Sequence, residues 1–250
     1  YYVTANVTLA DGTKLSLEKK DFYLDGNGII DAADSSDFPV GVAIEKTATL
    51  SLVNDKEQFD KYSFNKAVFV IFMNLQLSDR LETFKRGSFI VCKKPVIDGE
   101  ISLTLLDYMS KADLTYKTNL SFPCTAREVL EDACQQSGIV LGDAEFPNSD
   151  YQVNKAPENT TFRAVIGMVA ALAGGNARID EDDLLRIVTF DQKEIHHELS
   201  AVSDVQVDTD PVVITGIKYT EGDDSYLYGT EGYVLELKEN QLLSGNAEDG

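Results

Sequence analysis

The segment Ala67-Val68-Phe69-Val70-Ile71-Phe72-Met73 constrains the fold more than any other stretch of the sequence, because it is apolar on both sides of a strand. Strand side chains alternate between faces, so Val68, Val70 and Phe72 share one face while Phe69, Ile71 and Met73 share the other. Both faces need cover. The run is strand-sized and far short of the ~20 residues that a membrane helix needs. Two arrangements satisfy it: a central strand covered on both sides, or a barrel wall whose outer face a neighbouring subunit covers. The second makes Val68, Phe69, Val70, Ile71 and Phe72 the candidate subunit interface.

This strand sits in a stretch of period-two patterning that runs from Tyr1 to about Asp107. Val3, Ala5, Val7 and Leu9 lead to an Asp11-Gly12 turn, and Leu15 and Leu17 return, which predicts a hairpin. Residues 25–39, rich in Gly, Asp and Ser, predict a long loop. A strand from about Val42 would place Ile44, Ala48, Leu50 and Leu52 on one face. Phe89 to Cys92 and Ile101 to Leu106 flank an Asp98-Gly99 turn and predict another hairpin. Residues 1–110 are therefore expected to be an antiparallel β domain.

After Pro123 the period changes to that of helices. Thr125 can cap a helix with Ala126, Val129, Leu130, Ala133 and Cys134 on its apolar face, Glu128 completes a capping box, and Gly138 ends it. A second helix is predicted from near Thr161 to Leu172, stopped by Gly174-Gly175. Ala177 and Ile179, an acidic turn at Asp180 to Asp183, and Leu185, Ile187 and Thr189 then read as a hairpin. Residues 111–194 are expected to form a small α+β domain. From about Ile195 the pattern is β again, but residues 195–250 supply fewer strands than an independent barrel usually has.

With 43% hydrophobic and 26% charged residues and no low-complexity tract, the chain falls in the globular range. Its formal net charge of -20 would repel nucleic-acid phosphates and anionic lipid, which disfavours a DNA or RNA reader. Cys92, Cys124 and Cys134 lack zinc-site or framework spacing; buried free thiols are the default expectation, with a disulfide between two of them open if the fold brings them together. The sequence opens at Tyr1 without an initiator Met or a signal-peptide pattern and closes on a polar Asn-Ala-Glu-Asp-Gly, so both ends are taken as arbitrary.

Motifs with specific chemistry are few. If Gly28 is the central glycine of a calcium loop, Asp25, Asn27, Asp31 and Asp34 fall at ligand positions, but Tyr23 occupies the first position and flanking amphipathic helices are missing. These four are weak candidates, and a solvated loop is the better reading. His196 and His197 are adjacent, so on a strand they face opposite ways and cannot form a metal pair. No nucleophile elbow, zinc-protease helix or phosphate loop accompanies them, and Gly174-Gly175 follows a helix where a phosphate loop would precede one. Glu181, Asp182 and Asp183 are expected at a solvated turn. Asn6, Asn119 and Asn159 begin chance glycosylation triplets. No cofactor is expected.

Several stretches together resemble the baseplate hub family of phage tail tips, which includes hubs of contractile tails and the N-terminal part of tail-associated lysins. They are FPVGVAIEKTATLSLVNDKEQFDKYSF at 38–64, LTLLDYMSKADLTY at 103–116, SFPCTAREVLEDACQQSGI at 121–139, FPNSDYQV at 146–153 and ITGIKYTEGDDSYLYGTEGYVLELKEN at 214–240, in the family's order. The opening YVTANVTLADGTKLSL resembles the family's first hairpin. The resemblance implies an α+β, mainly β fold: antiparallel tube-type β-barrel domains with a small inserted α+β domain. Residues 1–110 would be the first barrel, 111–194 the peripheral domain and 195–250 part of a second, barrel-like domain.

The same resemblance implies a structural, non-enzymatic virion protein of the tail tip, assembled in the bacterial cytoplasm. It would be a homotrimer forming a pseudo-sixfold ring that meets the tail tube or distal tail proteins and spike or fibre proteins, with DNA only as passing cargo and no membrane. In such a ring part of the acidic excess is expected to line the lumen, where it would keep passing DNA from sticking, and the 180–183 turn is expected to be a peripheral tip open to other baseplate proteins. Two other classes compete. A cell-wall hydrolase component is one, since family members can carry a lytic domain, although none is legible here. A β-rich adhesion or carbohydrate-binding module is the other, and the lack of Trp and of a signal-peptide pattern counts against it, though 11 tyrosines could serve as sugar platforms.

Overall fold

Strands whose alternate side chains are apolar supply most of the architecture. The computed structural model describes residues 1–32, 40–93, 96–97, 99–189, 217–221 and 224–228. In chain order these give β1 (Tyr2–Thr8), β2 (Lys14–Leu17), β3 (Gly28–Ile30), β4 (Ala43–Ile44), β5 (Thr47–Val53), β6 (Val68–Gln76), β7 (Leu81–Val91), β8 (Val96–Ile97) and β9 (Glu100–Leu106). Next come β10 (Cys124–Thr125), helix α1 (Ala126–Ser137), β11 (Val140–Leu141), β12 (Gln152–Val153), helix α2 (Phe162–Leu172), β13 (Gly175–Ile179) and β14 (Leu184–Thr189). Tyr1–Lys193 is one compact unit and Glu194–Gly250 another; the second contributes an antiparallel pair, β15 (Ile217–Glu221) and β16 (Asp224–Tyr228).

Within the first unit, eight strands join an antiparallel sheet whose path runs β2-β1-β6-β7-β9-β5-β3, with β8 on β9. Its inward residues, among them Val7, Leu50, Leu52, Phe69, Ile71, Phe89, Leu103 and Leu105, are buried in one core. Each such side chain contributes about 1.5–3 kcal/mol. The sheet covers this core by curling on itself: Val3 of β1 and Ile29 of β3, near opposite ends of the path, line one cleft with Leu50 and Ile71. The chain is α+β and mainly β, as its periodicity implies. The sheet is nonetheless open, and no closed barrel forms among the described residues, because the end strands β2 and β3 are only four and three residues long.

Two expectations are corrected by this topology. The stretch read as loop contains β3, whose Ile29 is half-buried against the core while Gly28 and Ile30 face outward. The strand read as continuous from Val42 to Leu52 is two strands in two sheets. β4 pairs in parallel with β13, whereas β5 lies between β9 and β3, so Ile44 does not share a face with Ala48, Leu50 and Leu52.

A mixed sheet of order β11-β14-β13-β4 packs with both helices around the second core. Thr125 caps α1 as its sequence dictates. Its hydroxyl accepts from the Glu128 amide at 3.2 Å, its own amide donates to Glu128 Oε2 at 2.7 Å, and Gly138 closes the helix at φ 71°. Ala126, Val129, Leu130, Ala133 and Cys134 are buried. Thr161 caps α2, and Gly174, at φ 73°, turns the chain into β13. Burial raises the Cys124 thiol and pushes that of Cys134 up to about 12. Cys92, expected to be buried, is instead exposed at the end of β7.

Helix α2 meets the chain just before β4 without an intervening side chain. A Cβ on Gly167 would fall 2.5 Å from the Gly41 carbonyl oxygen, and one on Gly41, at φ 79°, would fall 2.7 Å from the Ala171 Cβ. Gly167→Ala is therefore expected to destabilise the protein by about 1–3 kcal/mol through overpacking, although alanine is the better helix former by ~1 kcal/mol. Urea unfolding of the variant checks this, and a gain in stability would refute the close approach.

Candidate functional site

Strand β6 carries the doubly apolar segment between β1 and β7. Phe69 and Ile71, put forward as interface residues from the sequence, are fully engaged in the chain's own core at 0% and 1% exposure. They are unavailable to a partner. Val68, Val70 and Phe72 point the other way and are half-buried. Thr8, Asn6 and Thr4 stand opposite them on β1, and Ile90, Ser88 and Lys85 stand opposite on β7. The result is a short apolar strip whose neighbours, Ile90 apart, are polar. It ends at buried Asn74, which donates to Thr4 Oγ1 at 3.0 Å and accepts from Thr83 Oγ1 at 2.8 Å.

Strand β7 extends past β9, which pairs with it only at Ile90 and Val91. The acidic hairpin between β13 and β14 occupies part of that free edge. Asp183, at φ 67°, accepts from the Ser88 amide at 2.7 Å, the Ser88 hydroxyl at 2.8 Å and Lys85 Nζ at 2.9 Å. The expectation of a solvated, peripheral tip is thus corrected. Asp183 is mostly covered, Glu181 pairs with Arg178, and only Asp182 is exposed. Asp180 shapes the turn from within. Burial pushes its carboxyl up, but the Leu184 and Asp182 amides and the Arg186 guanidinium outweigh that and hold it below the usual range.

A second polar feature lies where the chain passes between its two cores. Lys46 and Asp107 are 2% and 1% exposed, and the Asp107 amide donates to the Lys46 carbonyl at 3.0 Å. Asp107 Oδ1 accepts from the Met109 amide at 3.0 Å, while Oδ2 and Lys46 Nζ lack hydrogen-bond partners among the described residues. Lys46 Nζ sits 6.0 Å from the centre of the Phe89 ring. Burial pushes the Asp107 carboxyl up to about 6, against the opposing pull of the Lys46 and Met109 amides and the Lys46 charge. A lysine at the head of an alternating apolar run is the only hint of this pair that the sequence holds.

The weak calcium candidates do not converge. Asn27 donates to the Tyr23 carbonyl at 2.6 Å and accepts from the Ser51 amide at 2.9 Å, and Asp31 pairs with Arg178 at 2.8 Å. Asp25 is exposed, and Asp34 lies outside the described residues, as do His196 and His197. No group of three metal-ligating side chains occurs among the described residues, and no helix there is long and apolar enough to cross a membrane.

No protein-family model and no curated protein matches the sequence. Among solved structures, the tail protein from Neisseria meningitidis MC58 aligns with a TM-score of 0.53 and 11% identity, over 94% of this chain and 69% of that one. The likeness is one of fold. The 43 kDa tail protein of prophage MuSo2 from Shewanella oneidensis aligns with a TM-score of 0.44 and 12% identity over 73% of this chain, which spans about half (53%) of that protein.

Removing the carboxylate that caps the β7 edge is expected to be costly. Asp183→Ala should lower stability by about 2–3 kcal/mol, the range for hydrogen bonds to a charged group, and Asp183→Asn by about 1 kcal/mol, since it keeps an acceptor for the Ser88 amide. Equal stability of both variants and the parent in urea would refute the docking. Asp107 predicts a pH dependence of definite sign. Because the fold raises its carboxyl from 3.8 to about 6, its contribution to stability is greatest below pH ~4 and is lost as the pH rises through ~6. Asp107→Asn, a mimic of the protonated form, should gain up to about 3 kcal/mol over the parent at pH 7 and almost nothing at pH 4, read from urea curves at the two pH values.

Proposed function

We propose that the chain is a structural virion protein, a baseplate hub subunit at the tail tip of a bacteriophage or prophage. In this reading three copies form a pseudo-sixfold ring that continues the tail tube and anchors distal tail, spike or fibre proteins. The observation that carries it is the fold, which aligns with the meningococcal tail protein over 94% of the chain at a TM-score of 0.53. The role is one of assembly and not of catalysis.

The strip of Val68, Val70 and Phe72 supports the reading, because an apolar centre with polar flanks is the usual anatomy of a subunit contact. A net charge of -20 suits a wall past which DNA travels, since a basic lumen would hold the phosphates by counterion release. The protein is expected to sediment as a trimer at micromolar concentration and to show rings with a central hole by negative stain. Val70→Asp, on the outer face and outside the core, should give a folded monomer by circular dichroism and light scattering. A parent protein that stays monomeric at that concentration would overturn the assembly.

A further inference from the structure

A cleft of about 80 Å³ opens on the inner side of β6, opposite the face assigned to subunit contact. It lies where the curled sheet fails to close. Tyr2 and Val3 of β1 form one side and Gly28 and Ile29 of β3 the other, with Ile71 and Met73 between them. β1 pairs with β2 only from Ala5 to Thr8, and β3 pairs only with β5. Both borders therefore present strand edges without partners on the cleft side among the described residues.

Arg86 also lines this space, whose walls mix apolar side chains with tyrosines, Asn27 and Lys19. Ile71 stands opposite Gly87 and Phe72 opposite Lys85, so Arg86 is the extra residue of a β-bulge, a device that re-aims a side chain. The chain contains six arginines. Arg80, Arg127, Arg163, Arg178 and Arg186 each hold a carboxylate. Arg86 holds none among the described residues, and its buried Nε has no hydrogen-bond partner there. In a sequence with 42 acidic and 22 basic side chains, an arginine in a cleft whose described lining holds no carboxylate is poised for an acid from elsewhere. Lys19, stacked 5.2 Å over the Tyr2 ring, adds a second positive charge at the rim.

We propose that this cleft binds a glutamate side chain from an extended segment of another polypeptide, with its carboxylate on the Arg86 guanidinium and its backbone along the open edges of β1 and β3. The volume fits. At about 80 Å³, several times the ~10–15 Å³ of free space that a single water needs, the cleft has room for a carboxylate on a short stem. The chemistry fits as well, since the guanidinium fork takes a carboxylate through two parallel hydrogen bonds and open edges take an added strand. A free small acid would use the guanidinium and leave the edges unused. This inference uses a different face from the subunit contact and does not rest on the tail-tip reading.

The test is a methyl-NMR titration of the whole chain, following Ile29, Ile71 and Met73, with acetyl-Val-Glu-Val-amide as probe. Saturable shifts are expected, with binding of the glutamine counterpart weaker by about tenfold or more. Arg86→Gln should abolish the preference for glutamate. Exposed Lys19→Gln, which leaves the core untouched, should weaken glutamate binding a few-fold, and it decides the matter if the Arg86 variant does not fold. Equal responses to the two peptides, or a preference that survives Arg86→Gln, would sink the proposal. Propionate binding as tightly as the peptide would overturn the polypeptide source.

Discussion

The chain passes between its two cores at Glu45-Lys46 and again at Asp107, and the two crossings are hydrogen-bonded to each other. On one side of that contact lies the curled sheet; on the other lie the helices and the mixed sheet. Each crossing is anchored in the smaller core. Glu45 pairs with Arg163 of α2 at 2.8 Å, and Asp107 starts the 3-10 turn that carries Met109 and Ala112 inward. Burying an ammonium and a carboxyl together is costly, and the raised Asp107 carboxyl is the measure of that cost. What the arrangement supplies is a fixed seam, with the Asp183 contact on β7 as a third tie.

Much of this fold was legible from local rules. The capping box at Thr125, the stop at Gly138 and the spacing of Val129, Leu130 and Ala133 define α1 without tertiary information, because the signals are confined to one helix. The central place of β6 was legible too, since both its faces are apolar. β3 was not, because three strand residues among glycines and aspartates carry too little periodicity to register. The break between β4 and β5 was hidden for the opposite reason: Ile44, Ala48, Leu50 and Leu52 keep an even spacing through it, and only the partners of each half reveal that the chain has changed sheets.

The candidate site was half legible. Alternation alone identifies Val68, Val70 and Phe72 as a face distinct from Phe69 and Ile71, yet it cannot say which face the chain covers itself. The acidic turn was misread because a run of carboxylates ordinarily means solvent, and the Ser88 amide that binds Asp183 lies 95 residues earlier in the chain. Here a carboxylate takes the place of a strand along part of the β7 edge. Covering an edge in this way also keeps that stretch from pairing with other chains.

The contribution of β4 to the smaller sheet has an evolutionary reading. A domain encoded by one uninterrupted stretch can be exchanged between genes as a cassette. This one cannot, because its edge strand, and the glycine contact that seats α2, come from residues 41–44, upstream of most of the larger sheet. A recombination that replaced only the segment after Asp107 would leave the old edge strand against a new helix. The two halves are thus bound to change together, and relatives should preserve the match between Gly41 and Gly167 even where the rest of the sequence has drifted.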